Sequence, residues 1–515
     1  MQFLDQTIDF RPLADHAMRT CVARVTAREL KEFCSAAYKA ERRLVALWGS
    51  DERDRDAKNG YALHVAFDLA EALVCLTLPL DTENPEFPDL SLPFPAADRM
   101  QRTVRDLLGM TPDAGDQRPW LRHDNWPADY YPLRRDTADA QFAPKNEDYP
   151  FVQVEGDGVH EIAVGPIHAG IIEPGHFRFS VMGESTLRLE ERLGWKHKGI
   201  ERRFVGMGLA EGAKLAGRVS GDSTVSYAWA YSQAAEAIAG VTPPPRAVWL
   251  RALLLERERI ANHLGDLGYL GNDVALAFGL AQFMRLKEDW IRLNATLFGH
   301  RLLMDRIVPG GVTVDLDSAG AQAIIDQCHA VEREVHTLKN IYNEHAGLQD
   351  RFLTTGRITP SLALRLGIIG LAGRASAQRW DLRSNHPNEP YDQLAPRIHL
   401  ERNGDVAARA LVRFAEIFES IRLIHKILID MPKGNIRDEV RSEPDKRGFG
   451  WVEGWRGDVL VALETGSDGK IRRCHCHDPS WQNWPALEHA AIDNIVPDFP
   501  LINKSFNLSY AGQDL

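Results

Sequence analysis

At 515 residues, with 44% apolar and 26% charged side chains, the chain has the composition of an ordinary soluble globular protein and is too long for one hydrophobic core. No stretch nears the roughly 20 consecutive apolar residues of a membrane span, and Met1-Gln2-Phe3-Leu4-Asp5 lacks the basic and apolar regions of a signal peptide, so a cytoplasmic location is expected. The net charge of −11 argues against a nucleic-acid surface, and six cysteines with no C-x-x-C pair among them argue against a disulfide framework, a zinc site or an iron–sulfur cluster held by this chain.

In chain order, the spacing predicts a helix over 26–38, with Thr26 as N-cap and Glu29 completing a capping box. Residues 61–68 and 71–79 alternate like paired strands, and 96–108 reads as a helix closed by Gly109. Residues 1–110 therefore form a small α+β unit. From 111 to 150, Pro119, Pro127, Pro132, Pro144 and Pro150 forbid any long helix, which makes this segment an extended connector. Residues 151–515 read as one large, mainly helical domain with short β pieces, so the fold class is α+β. Within it, 248–267 is an amphipathic helix: Leu250, Leu253, Leu254, Ile260, Ala261 and Leu264 form a stripe, with Glu256, Arg257, Glu258 and Arg259 interleaved. Residues 406–430 form another such helix, and 455–464 and 470–477 are strands around a Ser467-Asp468-Gly469 turn.

Cys474-His475-Cys476-His477 puts four potential ligands in a row, but a strand sends alternate side chains to opposite faces. Only Cys474 with Cys476, or His475 with His477, could converge, and no metal site is expected there. Hydride chemistry on a nicotinamide is not expected either, because no G-x-G-x-x-G turn lies between a strand and a helix.

Several blocks of 151–515 occur in one order: Gly165-Pro166-Ile167-His168, Glu173-Pro174-Gly175-His176, His197-Lys198-Gly199-Ile200-Glu201, Glu258 to Leu264, and Gly370 to Arg383. Together they resemble the large subunit shared by energy-converting nickel–iron hydrogenases and respiratory complex I. Phe87-Pro88, Arg105 to Gly109, Asp124-Asn125-Trp126-Pro127 and Tyr131-Pro132-Leu133-Arg134 resemble a complex I small subunit, here a docking module. Such a fusion is typical of formate hydrogenlyase-type large subunits.

In that family two cysteine pairs, R-x-C-G-x-C and D-P-C-x-x-C, hold nickel. Here the corresponding stretches are Arg218-Val219-Ser220-Gly221-Asp222-Ser223 and Asp478-Pro479-Ser480-Trp481-Gln482-Asn483. Hydroxyls and an amide do not replace four soft thiolates, so no nickel–iron site and no other cofactor bound by this chain is expected. The tail beyond the second motif reads as folded structure rather than as a segment to be trimmed. The resemblance implies a pocket for a quinone-type acceptor, lined by His168, Arg218, Ser220, Gly221, Ser223, Asp478 and Ser480, with Glu173, Asp273, His176 and Glu201 moving protons. Gly221 stands where complex I has a headgroup-binding tyrosine. The bland readings beside these are structural histidines for His168 and His176, ion pairs with Arg178 or Arg202 for Glu173 and Glu201, and a loop or helix-start cap for Asp273. Arg374, Asp381 and Arg383 are expected as structural ion pairs. The implied partners are an iron–sulfur subunit and membrane-arm subunits, which would hold the chain on the inner face of the cell membrane. Two other readings remain: a nickel–iron hydrogenase with atypical ligands, and a non-catalytic scaffold.

Overall fold

A computed structural model describes residue 4 and residues 8–14, 17–56, 58–123, 126–127, 129–138, 142, 149–169 and 172–515; Asp124, Asn125 and Pro144 lie outside these. The N-terminal unit is a five-stranded sheet in the order β1-β2-β5-β4-β3, built from Arg11–Leu13, Thr20–Arg24, Arg43–Asp51 (β3), Tyr61–Asp68 (β4) and Leu73–Leu80 (β5). Only β2 and β5 run parallel. Helix α1 (Ala27–Lys39) starts at the expected capping box, with Thr26 Oγ1 accepting from Glu29 N and Glu29 accepting from Thr26 N. Helix α2 (Ala97–Leu108) ends at Gly109, whose φ of 74° is the left-handed turn that glycine adopts without a Cβ clash. No helix occurs among the described residues of 113–150. Instead, Asp106 of α2 draws that segment in, one carboxylate oxygen accepting from the backbone N–H groups of Trp120, Leu121 and Arg122.

The alternation read in 61–79 does not become a wet face and a dry face. β4 is buried along its whole length, and β5 is buried at all but two positions. One face carries Leu63, Val65, Phe67 and Val74 against α1 and α2. The other puts Val45, Trp48, Ala66 and Cys75 against Phe449, Trp451, Leu460 and Ala462. Those four belong to a second antiparallel sheet whose strands come far later in the chain: Arg447–Glu453, Asp458–Thr465 and Ile471–His477. To keep labels in chain order, the hairpin sheet Val159–Val164, His176–Met182 and Ser185–Arg192 is β6–β8, and this later sheet is β9–β11.

The helical body follows β8. It comprises α3 (Ile200–Phe204), α4 (Thr224–Ala239), α5 (Pro245–Asp273), α6 (Ala277–Phe298), α7 (Ser318–Glu344), α8 (Pro360–Leu366), α9 (Val406–Asp430), α10 (Ser480–Ala490), α11 (Phe499–Phe506) and α12 (Tyr510–Asp514). Helix α9 spans the predicted residues. Helix α5 is longer than predicted, and its amphipathic reading fails: Glu256, Arg257, Glu258 and Arg259 are as buried as the leucines beside them. Each has a partner on another element. Glu256 accepts from Arg383, Tyr391 and Ser420, while Arg257 donates to Asn294 and lies 4.2 Å from the Trp290 ring. Arg259 donates to the carbonyls of Glu453 and Gly454. One turn on, His263 meets Glu416, which also takes Arg374 at 2.7 Å. The expected ion pairs of Arg374, Asp381 and Arg383 are present and fully interior.

The two sheets meet through aromatic stacking. The Trp48 ring lies 5.2 Å from His64 and 5.0 Å from His475, parallel to the latter within 9°. Replacing Trp48 by Ala removes a large buried side chain from the centre of that contact and should cost about 3–5 kcal/mol. Urea denaturation of the full chain reads it; a loss below about 1 kcal/mol, the range of surface substitutions and tolerated swaps, would show that the inter-sheet packing contributes little.

Candidate functional site

The two serine-containing motifs meet although they are far apart in the chain. Arg218 to Ser223 forms the short turn that leads into α4, and Asp478 to Asn483 leads from β11 into the first turn of α10. Ser220 Oγ lies 3.1 Å from Ser509 Oγ, and Ser509 N donates to Ser480 Oγ at 2.9 Å. The C-terminal segment therefore bridges both motifs. Helix α12 packs tightly enough that a Cβ on Gly512 would fall 2.3 Å from Asp478 Oδ2. Asp478 is buried; Tyr227 OH donates to it at 2.7 Å and Ser480 N at 2.8 Å, and burial raises its pKa.

Beside this junction opens a cavity of about 270 Å³. Its charged lining is balanced, with Glu173, Asp222 and Asp266 facing Lys287, Arg456 and Lys504, and Tyr269, Asn503 and Asn507 add neutral donors. Arg456 dominates one wall. It grips Asp222 with two hydrogen bonds of 2.8 and 2.6 Å, donates to Ser223 Oγ at 3.2 Å and to Asn507 O at 2.6 Å, and stacks 3.9 Å from the Trp455 ring. Desolvation alone would raise the pKa of Asp222. The guanidinium and the Ser220 hydroxyl outweigh it and hold the carboxyl below its ordinary value. The Asp222 side chain is 40% exposed toward the cavity, so water there screens the pair.

Of the residues singled out from the sequence, Glu173, Ser220 and Gly221 line the cavity, while Ser223, Asp478 and Ser480 lie just behind its wall. A Cβ on Gly221 would meet nothing within 4 Å, so the position faces open space. Glu173 is only half-buried, taking Lys196 at 3.5 Å and the Ala511 N–H at 3.1 Å. Asp273 is no helix-start cap: it is the last residue of α5, on the face of Asp266 and Tyr269, and burial raises its pKa against the opposing charge of Lys504. The other four are not brought to the cavity. Arg218 turns outward into a bidentate pair with Asp305. Glu201 is sealed between Arg473 and His475, at 3.0 and 2.7 Å, at the contact between the two sheets. Its pairing is neither with Arg178 nor with Arg202. His168 and His176 bond the carbonyls of Gly175 and Gly165 and tie the loop between β6 and β7 to itself, the bland reading of both.

Sequence reasoning missed Asp222, Asp266, Lys287, Arg456 and Lys504. Asp222 could have been found, since it sits inside the first motif; the other four carry no motif signal. Around Cys474 the alternation holds. The two thiols lie 4.0 Å apart on one face, packed into the helical core with Tyr227 and Tyr231, and the two histidines lie on the opposite face toward Trp48. Among the described residues no group of three or more His, Cys, Asp or Glu side chains could hold a metal. The four positions that would carry thiolates hold Ser220, Ser223, Ser480 and Asn483. Their polar atoms bond Asp222, Ser509, Arg456 and the backbone of Ile369. Hard, neutral, already engaged donors beside a guanidinium do not fit a nickel–iron centre.

Residues 273–447 match the model of the respiratory-chain NADH dehydrogenase 49 Kd subunit, and residues 23–142 match that of the 30 Kd subunit. Formate hydrogenlyase subunit 5 of Escherichia coli (strain K12) is 31% identical over 488 residues, covering 93% of this chain and 85% of that one. The chain belongs to the formate hydrogenlyase subunit 5 family. Hydrogenase-4 component G of the same organism is equally similar, 31% over 487 residues. A more distant relative, an NADH-quinone oxidoreductase subunit from Bacteroides thetaiotaomicron, is 26% identical over 463 residues, covering 83% of this chain and 86% of that one. A chain of the membrane-bound sulfane sulfur reductase, an archaeal respiratory membrane complex, shares the fold, with a TM-score of 0.66, 23% identity, and coverage of 70% of this chain and 99% of that one. No helix among the described residues of this family member is long and apolar enough to cross a membrane.

One carboxyl behind the site has a testable charge. Glu258 of α5 is buried beneath the start of α4, accepting from Val225 N at 2.7 Å, and Asn262 one turn along lines the cavity. Burial outweighs these hydrogen bonds and lifts its pKa from 4.5 to about 8. The folded state then keeps a proton that the unfolded state gives up, so stability falls as pH rises from about 4.5 to about 8 and levels off above. In Glu258→Gln this contribution should be lost and the fall become shallower, while those of Glu191, Glu453 and Asp514, also raised by burial, remain. Urea midpoints of both proteins across this range read the difference, and parallel curves would place an ionised carboxylate at 258 throughout.

Proposed function

We propose that this chain is the oxidoreductase subunit of a membrane-associated, complex I-like assembly, and that its cavity takes a quinone-type electron acceptor in place of nickel. One observation carries the reading. The frames of both metal motifs are kept and converge on Ser509, with hydroxyls and an amide at the four thiolate positions, and a polar cavity opens beside that junction. The balance of charge suits a quinone. Two electrons delivered from an iron–sulfur cluster on a partner subunit put negative charge on the quinone oxygens, and Lys287 and Lys504 stand ready to stabilise it. Two protons complete the hydroquinone. Glu173, in the cavity wall, and Asp273, one turn beyond Tyr269, supply them and are refilled from solvent. The relatives named for formate hydrogenlyase, hydrogenase-4 and NADH-quinone oxidoreductase support membrane-arm partners, which would hold the chain on the membrane as a peripheral subunit.

Purifying the chain with its neighbours allows both halves of the reading to be checked on one sample. Quinone reduction should be measurable with substoichiometric nickel by mass spectrometry, and one nickel per chain overturns the proposal. In the same preparation Glu173→Gln and Asp273→Asn should each lower kcat by about 100-fold, the usual contribution of a placed proton donor. Unchanged turnover in both would leave the chain a scaffold.

A further inference from the structure

A second and larger cavity, of about 660 Å³, lies on the other side of the molecule's central junction, between the N-terminal unit and α8. Its volume is that of a small-molecule site. The wall is mostly apolar, from Leu44, Phe94, Ala363 and Leu366. Set into it are two side chains with unmet donors. Arg43 gives one nitrogen to Asp458 at 2.9 Å and stacks 4.7 Å from the Trp380 ring, while its Nε and Nη1 are buried without an acceptor. Trp380 Nε1 is buried without one too. These donors have no accessible surface, Arg43 lying over both the Trp380 and Trp451 rings, so an acceptor from outside meets the cations at the cavity's mouth instead.

Charge at the mouth says what kind of acceptor. Lys39, Arg42, Arg365 and Arg379 surround the opening, exposed and with no ion pair among the described residues. Glu41 is the one carboxylate there without a partner, since Asp68 is held by His386 at 2.9 Å. In a chain of net charge −11 this concentration of cations stands apart. Tyr38 and Leu364, 52% and 49% exposed, add apolar surface at the same opening. We infer that this cavity is a second ligand site, taking an amphiphilic anion: a carboxylate or phosphate group carried on an apolar body. The anionic group meets the rim cations, and the body lies along the Phe94–Leu366 wall. The site also touches the first one. Gln482 lines it, and Asn483 next to it clasps the backbone of Ile369, another lining residue, while Ser480 on the same helical turn braces Ser509 in the first cavity.

The probe is 8-anilinonaphthalene-1-sulfonate, an aromatic anion, titrated against the full chain by fluorescence and compared with its neutral analogue N-phenyl-1-naphthylamine. One sulfonate probe should bind per chain. Arg42→Ala with Arg379→Ala, both on the exposed rim, should weaken it by about tenfold or more. Displacement by decyl phosphate identifies a lipid-like occupant, and displacement by phenyl phosphate a soluble one. Three outcomes overturn the proposal: equal affinity for the neutral analogue, displacement by neither phosphate, or loss of binding in Lys504→Ala but not in the rim variant, which would put the probe in the first cavity.

Discussion

Helix α5 imposes the constraint on which the rest of the structure depends. It carries Glu256, Arg257, Glu258, Arg259 and His263 into an interior that water does not reach, and Asp266 to the edge of the cavity. A desolvated charge without a partner costs several kcal/mol, so every element packed on α5 must present the right group at the right height. Arg383 and Tyr391 answer Glu256, the carbonyls of the β9–β10 turn answer Arg259, Glu416 of α9 answers His263, and Arg413 and Asn507 answer Asp266. Apolar helices could slide against one another by a turn at small cost, but these cannot. The register of α5 thereby fixes where Asn262, Asp266 and Tyr269 enter the cavity and how the C-terminal segment lies across it.

That same constraint explains what could be read from the sequence and what could not. Caps, turns and long periodic helices were readable because they depend on neighbours in the chain: Thr26 with Glu29, Gly109 behind α2, and 406–430 as one helix. The two motifs flanking the site were readable because their frame residues persist around the missing cysteines. A row of charges such as 256–259, by contrast, looks like a solvated face until the partners are known, and those lie up to hundreds of residues away. Glu201 illustrates the opposite error. Its place in a shared block suggested chemistry, yet Arg473 and His475 make it an interior pairing group, with its pKa pulled down to about 2 against the effect of burial. Arg456 could not be found at all from the sequence, because nothing local distinguishes it from any other arginine after a tryptophan.

On the function proposed here, a metal frame is reused. A thiolate set holds its geometry through the ion it binds. Here Arg456 and Asp222 neutralise each other where the first motif opens on the cavity, and the hydroxyls of Ser220, Ser223 and Ser480, with Ser509, knit the two motifs together. The frame no longer needs an ion to keep its shape, and what remains is a cavity of moderate size with mixed charge. Such a lining favours a polar, redox-active headgroup over a gas or a bare ion.

The N-terminal sheet, buried on both faces, has a consequence for how the protein is made. Phe449, Trp451, Leu460 and Ala462, which cover Val45, Trp48, Ala66 and Cys75, leave the ribosome several hundred residues after them. At translation rates of about 5–20 residues per second, the apolar face waits uncovered for roughly 20–80 seconds. Joining two subunit-like units in one polypeptide therefore secures their stoichiometry while leaving an apolar sheet face bare until the covering strands arrive.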